Sequence, residues 1–320
     1  MRQAWARKQG NSTEVNLILL RLLTKAGINA QPLAVSTRDH GVIDPVYPNI
    51  YDLNKTVVYI PLDSTRYYVL DATNKYNLYT DVPIDLLNTY GLMVKREGIY
   101  VSSKLILLQN QQPTQRVVII NGDINANGHI TGTADISNYT YNKTFFARLY
   151  NDLDKKVFIN FLRDNNNAIN VNDLAVENME ADSLPLVHKI KFNQELTTTD
   201  DKYIYFDSNI FTAMRSNPFL SEQRVADIDF ETCAANSINE HLKLPPGYKA
   251  DVLPANVLVR FADNSITFKR VVGEANGFVE VHYTITRSRA KYQVAEYPAL
   301  RQFYKKMYDM LNEPVVLKKL

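Results

Sequence analysis

The segment GNSTEVNLILLRLLTKAG, Gly10 to Gly27, carries both of its helix ends in the sequence, and it constrains the N-terminal part of the chain more than any other feature. Asn11 in front of the run and Glu14 at the third helical position form a capping box, each side chain accepting a backbone N–H that the first turn leaves free. Gly27 supplies the left-handed residue on which such helices end. A helix is therefore predicted over Ser12 to Ala26. Its polar residues Glu14, Arg21, Thr24 and Lys25 fall in a narrow stripe, while Val15, Ile18, Leu19, Leu20, Leu22 and Leu23 cover the rest, so the helix is expected inside a domain. Asn16 and Arg21 interrupt the apolar run, which leaves neither a signal-peptide core nor a membrane span.

Extended segments follow the helix. AQPLAVST (Ala30 to Thr37), KTVVYIPL (Lys55 to Leu62) and TRYYVLDAT (Thr65 to Thr73) are rich in β-branched and aromatic residues, and only Asp63 and Ser64 separate the last two, as in a hairpin. A helix followed by antiparallel strands is an α+β arrangement. Between the first two strands runs RDHGVIDPVYPNIYDLN, a long Pro-containing loop of the kind that edges a site.

The polar, Pro-bearing stretch LLQNQQPTQ (Leu107 to Gln115) marks a boundary, giving domains 1–112 and 113–320. Downstream, RVVIINGDINANGHITGTADI reads as a hairpin with Asn127 and Gly128 at its turn. KYIYF, VLVRF, SITFKRVV and FVEVHYTITR read as further strands, so a mainly antiparallel sandwich-type domain is expected. The end differs. In EYPALRQFYKKMYDMLNE, Leu300, Phe303, Tyr304, Met307 and Leu311 recur at helical spacing, and PVVLKK reads as a closing strand.

Composition bears mainly on what is excluded. With 320 residues and 45% hydrophobic content the chain can build a substantial core, and 36 Lys and Arg against 34 Asp and Glu give a net charge of +2, no footprint for nucleic acid. The lone Cys233 can form neither an intrachain disulfide nor a Cys-ligated zinc site. His40, His129, His188, His241 and His282 show no metal-ligand spacing, and no metal or cofactor is expected. Asp123, Asn125, Asn127 and Gly128 begin like a calcium loop. The twelfth loop position is Ala134 rather than a bidentate acid, so a hairpin turn is the expected structure. The sequons at Asn11, Asn54, Asn138 and Asn142 are read as chance matches in an Asn-rich chain.

Three stretches taken in order, GNSTEVNLILLRLLTKAGINAQPLAVSTRDHG, LNKTVVYIPL and YYVLDATNKY, resemble the bacterial transglutaminase-like proteins. That resemblance covers roughly Gly10 to Leu92. It implies a papain-type core with a nucleophilic Cys at the start of a buried helix, a His beginning a strand and an Asp in an L-D-x-T turn. Gly10, Glu14, Leu70, Asp71 and Thr73 fit the pattern. The Cys position falls on Ser12, the Asp position on Asp71, and the His position, sixteen residues before the Asp in the family, on Lys55. The C-terminal region, through SNPFLSEQRVADIDF and YPALRQFYKKMYDMLNEPVVLKK, resembles the β-rich domain of unknown function that follows such cores in envelope proteins. Family members carry helices and a further β domain ahead of the nucleophile helix, so this chain reads as a fragment or a shortened member.

A helix N-terminus and an imidazole bring a thiol toward neutrality, but a serine hydroxyl is far more basic and needs a strong general base. A charged Lys55 cannot accept its proton. The expectation is thus a pseudoenzyme: a non-catalytic transglutaminase-like binding or scaffolding protein of the periplasm or cell envelope, the location resting on the resemblance alone. Its expected ligand is a peptide or peptidoglycan-type molecule in a cleft with Arg38, His40, Tyr47 and Tyr51, and its expected protein partner an upstream N-terminal region or another chain. The alternative is a Ser-dependent amidohydrolase or acyltransferase using Ser12, Lys55 and Asp71, with His40 as a substitute base. Without chemistry, Ser12 satisfies first-turn N–H groups, Asp71 holds a turn at Thr73 or Asn74, and Lys55 merely opens a strand.

Overall fold

The computed structural model describes residues 1–110, 112–196, 198–200 and 202–320. The chain divides into two compact units, Met1–Gln112 and Pro113–Leu320. The connector is shorter than its sequence implies, because Leu107 and Leu108 belong to a strand ending at Leu108 and Thr114 already opens the next. Gln111, within that connector, lies outside the described residues.

In the first unit a short helix α1 (Arg2–Arg7) precedes α2 (Ser12–Lys25). Five strands follow: β1 (Gln31–Val35), β2 (Lys55–Pro61), β3 (Tyr67–Leu70), β4 (Thr89–Glu97) and β5 (Tyr100–Leu108). They form one antiparallel sheet in the order β3-β2-β1-β4-β5. Gly91 in β4 lies against Leu33 of β1, where an added Cβ would stand 2.7 Å from the leucine side chain, so the register of this pair depends on glycine. Leu33, Val35, Val57, Val69, Leu86 and Leu108 make the core.

Two expectations are corrected here. The β2–β3 connection is a five-residue loop, Leu62 to Arg66, because the Asp63 carboxylate gathers the backbone N–H groups of Thr65 and Arg66 and the Arg66 side chain. And α2 does not lie in an interior. Its one buried residue is Asn16, while Leu22 is 50% exposed and Val15, Ile18, Leu19 and Leu20 are half-buried. The helix covers one side of β1 and β2, and the small α1 is too short to cover its outer face.

The second unit holds β6 (Thr114–Ile124), β7 (His129–Tyr139), α3 (Thr140–Asp152), α4 (Lys155–Leu162), β8 (Ile169–Glu177) and β9 (Leu186–Glu195). Short strands β10 (Thr198–Thr199), β11 (Tyr203–Phe206) and β12 (Ile228–Asp229) lead to β13 (Ala234–Lys243) and β14 (Tyr248–Val252). The chain ends with β15 (Val257–Arg260), β16 (Ile266–Ala275), β17 (Phe278–Arg287), β18 (Lys291–Tyr292), α5 (Tyr297–Leu311) and β19 (Val315–Lys319). An eight-stranded sheet runs β15-β16-β17-β13-β6-β7-β9-β8, a four-stranded sheet runs β10-β11-β19-β14, and β12 pairs with β18.

The class is α+β with mostly antiparallel sheets, but the second unit departs from the expected sandwich. Its large sheet has a parallel pair, β6 with β13, at its centre, and α3 and α4 were not anticipated. The stretch TYNKTFFARLYND is rich in residues that favour strands, and it is helical because Tyr141, Phe146 and Ala147 bury against the sheet. Asp154 caps α4 by accepting the Lys156 N–H. The closing helix α5 buries the five residues its spacing implied, Leu300, Phe303, Tyr304, Met307 and Leu311, and β19 returns between β11 and β14.

Candidate functional site

The first turn of α2 is capped as the sequence requires: Asn11 Oδ1 accepts the Glu14 N–H at 2.9 Å and Glu14 Oε2 accepts the Asn11 N–H at 3.1 Å. With those donors taken by Asn11 and Glu14, the Ser12 hydroxyl makes no hydrogen bond among the described residues. The capping role once open to Ser12 belongs to its neighbour. One turn later on the same face stands Asn16, fully buried.

Asn16 is the knot between helix and sheet. Its Nδ2 donates to the Thr56 carbonyl at 3.0 Å and to Asp71 Oδ1 at 2.8 Å, and its Oδ1 accepts the Ala72 N–H at 2.8 Å. Asp71, just past the end of β3, also accepts the N–H and hydroxyl of Thr73, the turn bond its motif implied. Its second oxygen meets Lys55 Nζ at 2.5 Å. Lys55, at the start of β2, also reaches Asp85 Oδ2 at 3.1 Å. Its side chain is 11% exposed and that of Asp71 only 1%, so Lys55 is far from an ordinary strand-start lysine.

The charges of this cluster hold one another. Burial by itself pulls the Lys55 ammonium down, but the hydrogen bond and charge of Asp71, with those of Asp85, outweigh it and leave the pKa raised. Burial likewise pushes the Asp71 carboxyl up, and Lys55, Asn16 and Thr73 together bring it below its ordinary value. The ammonium and the carboxylate are therefore both kept. A lysine fixed in this way is no base for a serine hydroxyl, and nothing hydrogen-bonds Ser12 to it among the described residues.

The root of the long loop joins this knot at Asp85. Ser36 Oγ donates to the Gly41 carbonyl, Asn54 bridges both ways to Thr37, and the Arg38 N–H donates to the Asp85 carbonyl, which fixes the root of the loop. His40 Nε2 lies 3.2 Å from the Tyr51 carbonyl oxygen and so donates to it. Tyr47 and Tyr51 themselves stand in solvent. In the second unit, Asn125 Oδ1 accepts the N–H groups of Asn127 and His129, so the calcium-like motif closes a hairpin turn.

Sequence reasoning missed Asn16 and Asp85. The signal for Asn16 was present: an amide inside an apolar helix face, four residues after Ser12. Asp85 sits in a single 3₁₀ turn, Ile84–Leu86, and carries no motif.

Comparison with known proteins bears on the second unit through a family match and on the whole chain through fold. Residues 202–317 match DUF3858, described as a domain of unknown function with a solved structure, over the stretch from β11 into β19. Among curated proteins none matches the chain. A crystal structure from Parabacteroides distasonis ATCC 8503, described as that of "a putative protease", aligns with a TM-score of 0.56 at 13% identity, covering 99% of this chain and 45% of that one. At this identity the likeness is one of fold, and the chain spans less than half the length of the protein it aligns with.

Proposed function

We propose that the first unit is a degenerate transglutaminase-like domain that binds rather than cleaves, and that the chain serves as a binding or scaffolding protein of the bacterial cell envelope. One observation carries the reading. At the position where the resemblance asks for an imidazole, Lys55 is held as an ammonium between Asp71 and Asp85, while Asn16 takes Asp71's other oxygen. The order helix, strand, L-D-x-T turn is retained, with Lys55 paired to Asp71 and the helix tied to Thr56 and Asp71 through Asn16. The proton acceptor is gone. The alignment with a protein described as "a putative protease" is consistent with a scaffold of this kind, and activity in that protein would imply none here.

The ligand on this reading is a peptide or peptidoglycan stem laid beside Arg38, His40, Tyr47 and Tyr51. Exposed tyrosines on a loop with a fixed root suit stacking and hydrogen bonding to an extended chain. The test uses the whole chain. A fluorophosphonate serine probe is expected to leave Ser12 unlabelled, and a muramyl pentapeptide is expected to shift the NMR signals of Tyr47 and Tyr51 and to lose affinity in Tyr51→Ala. Labelling of Ser12 that Lys55→Met abolishes would refute the reading in favour of a Ser-Lys hydrolase. The envelope location is checked by fractionation of the source cells.

A further inference from the structure

The contact between Lys55 and Asp71 brings an amine and a carboxyl group to reacting distance as well as an ammonium to a carboxylate. Nζ stands 2.5 Å from Asp71 Oδ2, which puts the carboxyl carbon no more than one C–O bond further off, at the edge of near-attack range. Asp71 is fixed from its other side. Its Oδ1 accepts three hydrogen bonds, from Asn16 Nδ2 at 2.8 Å, the Thr73 N–H at 3.1 Å and the Thr73 hydroxyl at 2.7 Å. Three donors on one oxygen are what stabilises the oxyanion of a tetrahedral intermediate. A proton carrier is also in place: Asp85 Oδ2 lies 3.1 Å from the same Nζ, and its side chain is 41% exposed, open to water on the side away from Asp71.

We propose that Lys55 and Asp71 condense to an amide in the folded chain, an intramolecular isopeptide bond formed with loss of one water and with Asp85 as proton carrier. The steps balance. The proton between the two groups moves from Nζ to Oδ2, which turns the ion pair into an amine and a carboxylic acid without change of net charge. The nitrogen then attacks the carboxyl carbon, Oδ1 takes up negative charge facing Asn16 and Thr73, and Asp85 accepts a proton from the nitrogen. Asp85 returns that proton to Oδ2, the C–O bond breaks, water leaves, and the carbonyl re-forms on Oδ1. Nothing is oxidised or reduced.

Two influences favour the reaction. Burial is the largest single influence on each group and opposes its charge, so moving the proton within the pair relieves both penalties at once, although the neighbours keep the charged pair as the resting state. Amines and acids free in water stay apart, but groups held in contact by a fold react at effective concentrations of about 10⁵–10⁸ M. The ion pair is thus the state of the newly folded chain and the amide its slow product. The bond staples the start of β2 to the turn after β3, in a chain whose single cysteine allows no disulfide within it. It goes beyond the binding role proposed above and does not depend on it.

The test weighs the whole chain, kept folded for days at growth temperature and then denatured, by high-resolution mass spectrometry. The expected mass is one water below that of the sequence, and proteolysis is expected to release one branched peptide joining the segments that hold Lys55 and Asp71. Lys55→Met and Asp71→Ala are expected at full mass. Asp85→Asn alters a partly exposed carboxyl, so it is expected to fold, as circular dichroism verifies, and to form the bond roughly a hundredfold or more slowly. A native chain that stays folded and at full mass overturns the proposal while leaving the binding role untouched. A water loss that survives Lys55→Met or maps to other residues, or an unchanged rate in Asp85→Asn, overturns it as well.

Discussion

Replacing Lys55 by methionine removes the cation from between Asp71 and Asp85 while keeping most of the side chain's volume, and its cost can be bounded from the structure. Breaking a buried pair by deleting one partner costs about 3–5 kcal/mol. Asp71 retains Asn16 and both groups of Thr73, which favours the lower end of that range. Protonation sets a ceiling: neutralising a carboxyl of ordinary pKa near 3.9 at pH 7 costs about 4 kcal/mol, and the lowered pKa of Asp71 puts the ceiling above that. The expected loss at pH 7 is therefore about 3–4 kcal/mol, and it must depend on pH. In the native protein the Asp71 pKa is lowered, so its stabilisation is present above the unfolded value and lost as pH falls through the folded one. The Lys55 pKa is raised, so its stabilisation is present at pH values below the unfolded value and fades only as pH rises through the folded one. In the variant, burial acts on Asp71 without its cation, its pKa rises, and acid no longer penalises folding in the same way. The gap between variant and native protein should narrow from pH 7 toward pH 4. Urea dependence of hydrogen exchange at the amides of β2 and β3 isolates the first unit for this measurement. A loss under about 1 kcal/mol, or one that does not change with pH, would refute the buried-pair account of this cluster.

Other outcomes follow from the same geometry. Ser12→Cys in a Cys233→Ser background should give a thiol with a pKa below the ordinary value of about 8.5, because the helix N-terminus favours thiolate; the pH dependence of alkylation measures it, and titration above that value would show that Ser12 does not hold a nucleophile's place. Limited proteolysis should cut first between Leu108, where β5 ends, and Thr114, where β6 begins; initial fragments beginning within residues 117–137 would contradict the two-unit division. Glu240→Gln should raise the stability of the second unit at pH 7 by about 1 kcal/mol or more and leave it little changed near pH 4. Burial and the neighbouring Asp207 push the Glu240 carboxyl well up, so it favours folding below its unfolded value and loses that advantage as pH rises; equal effects at both pH values, read from urea melts, would oppose this.

What the sequence disclosed was local. The caps of α2, the spacing of α5 and the alternating strands are each decided by residues a few positions apart, and each appears where its pattern puts it. Resemblance, in turn, singled out Lys55 and Asp71, which do meet. The burial of α2 was misjudged because an apolar stripe says which face prefers to be covered and nothing about whether a neighbour exists to cover it. The amide of Asn16 escaped for the converse reason: its three partners come from Thr56, Asp71 and Ala72, some forty to fifty-six residues away, and no periodicity records them. The helix α3 was hidden by Tyr, Thr and Phe, whose strand preference is overridden by packing that only the folded sheet supplies.

The parallel pairing of β6 with β13 has a consequence in time. β6 with β7, β9 and β8 makes one antiparallel half of the large sheet, and β13 with β17, β16 and β15 makes the other; a single seam, Thr114 opposite Ala234 through Asp123 opposite Lys243, joins them. On a ribosome adding about 5–20 residues per second, β13 emerges some 6–24 s after β6. Throughout that interval the β6 edge, with the apolar run Val117 to Ile120, is unpaired along its length. Closing so long a loop is also slow once both strands exist, since the chain entropy is lost before the seam returns any contact. The seam is thus slower to become native than the hairpins on either side of it, and it is a place at which another nascent copy can pair in error.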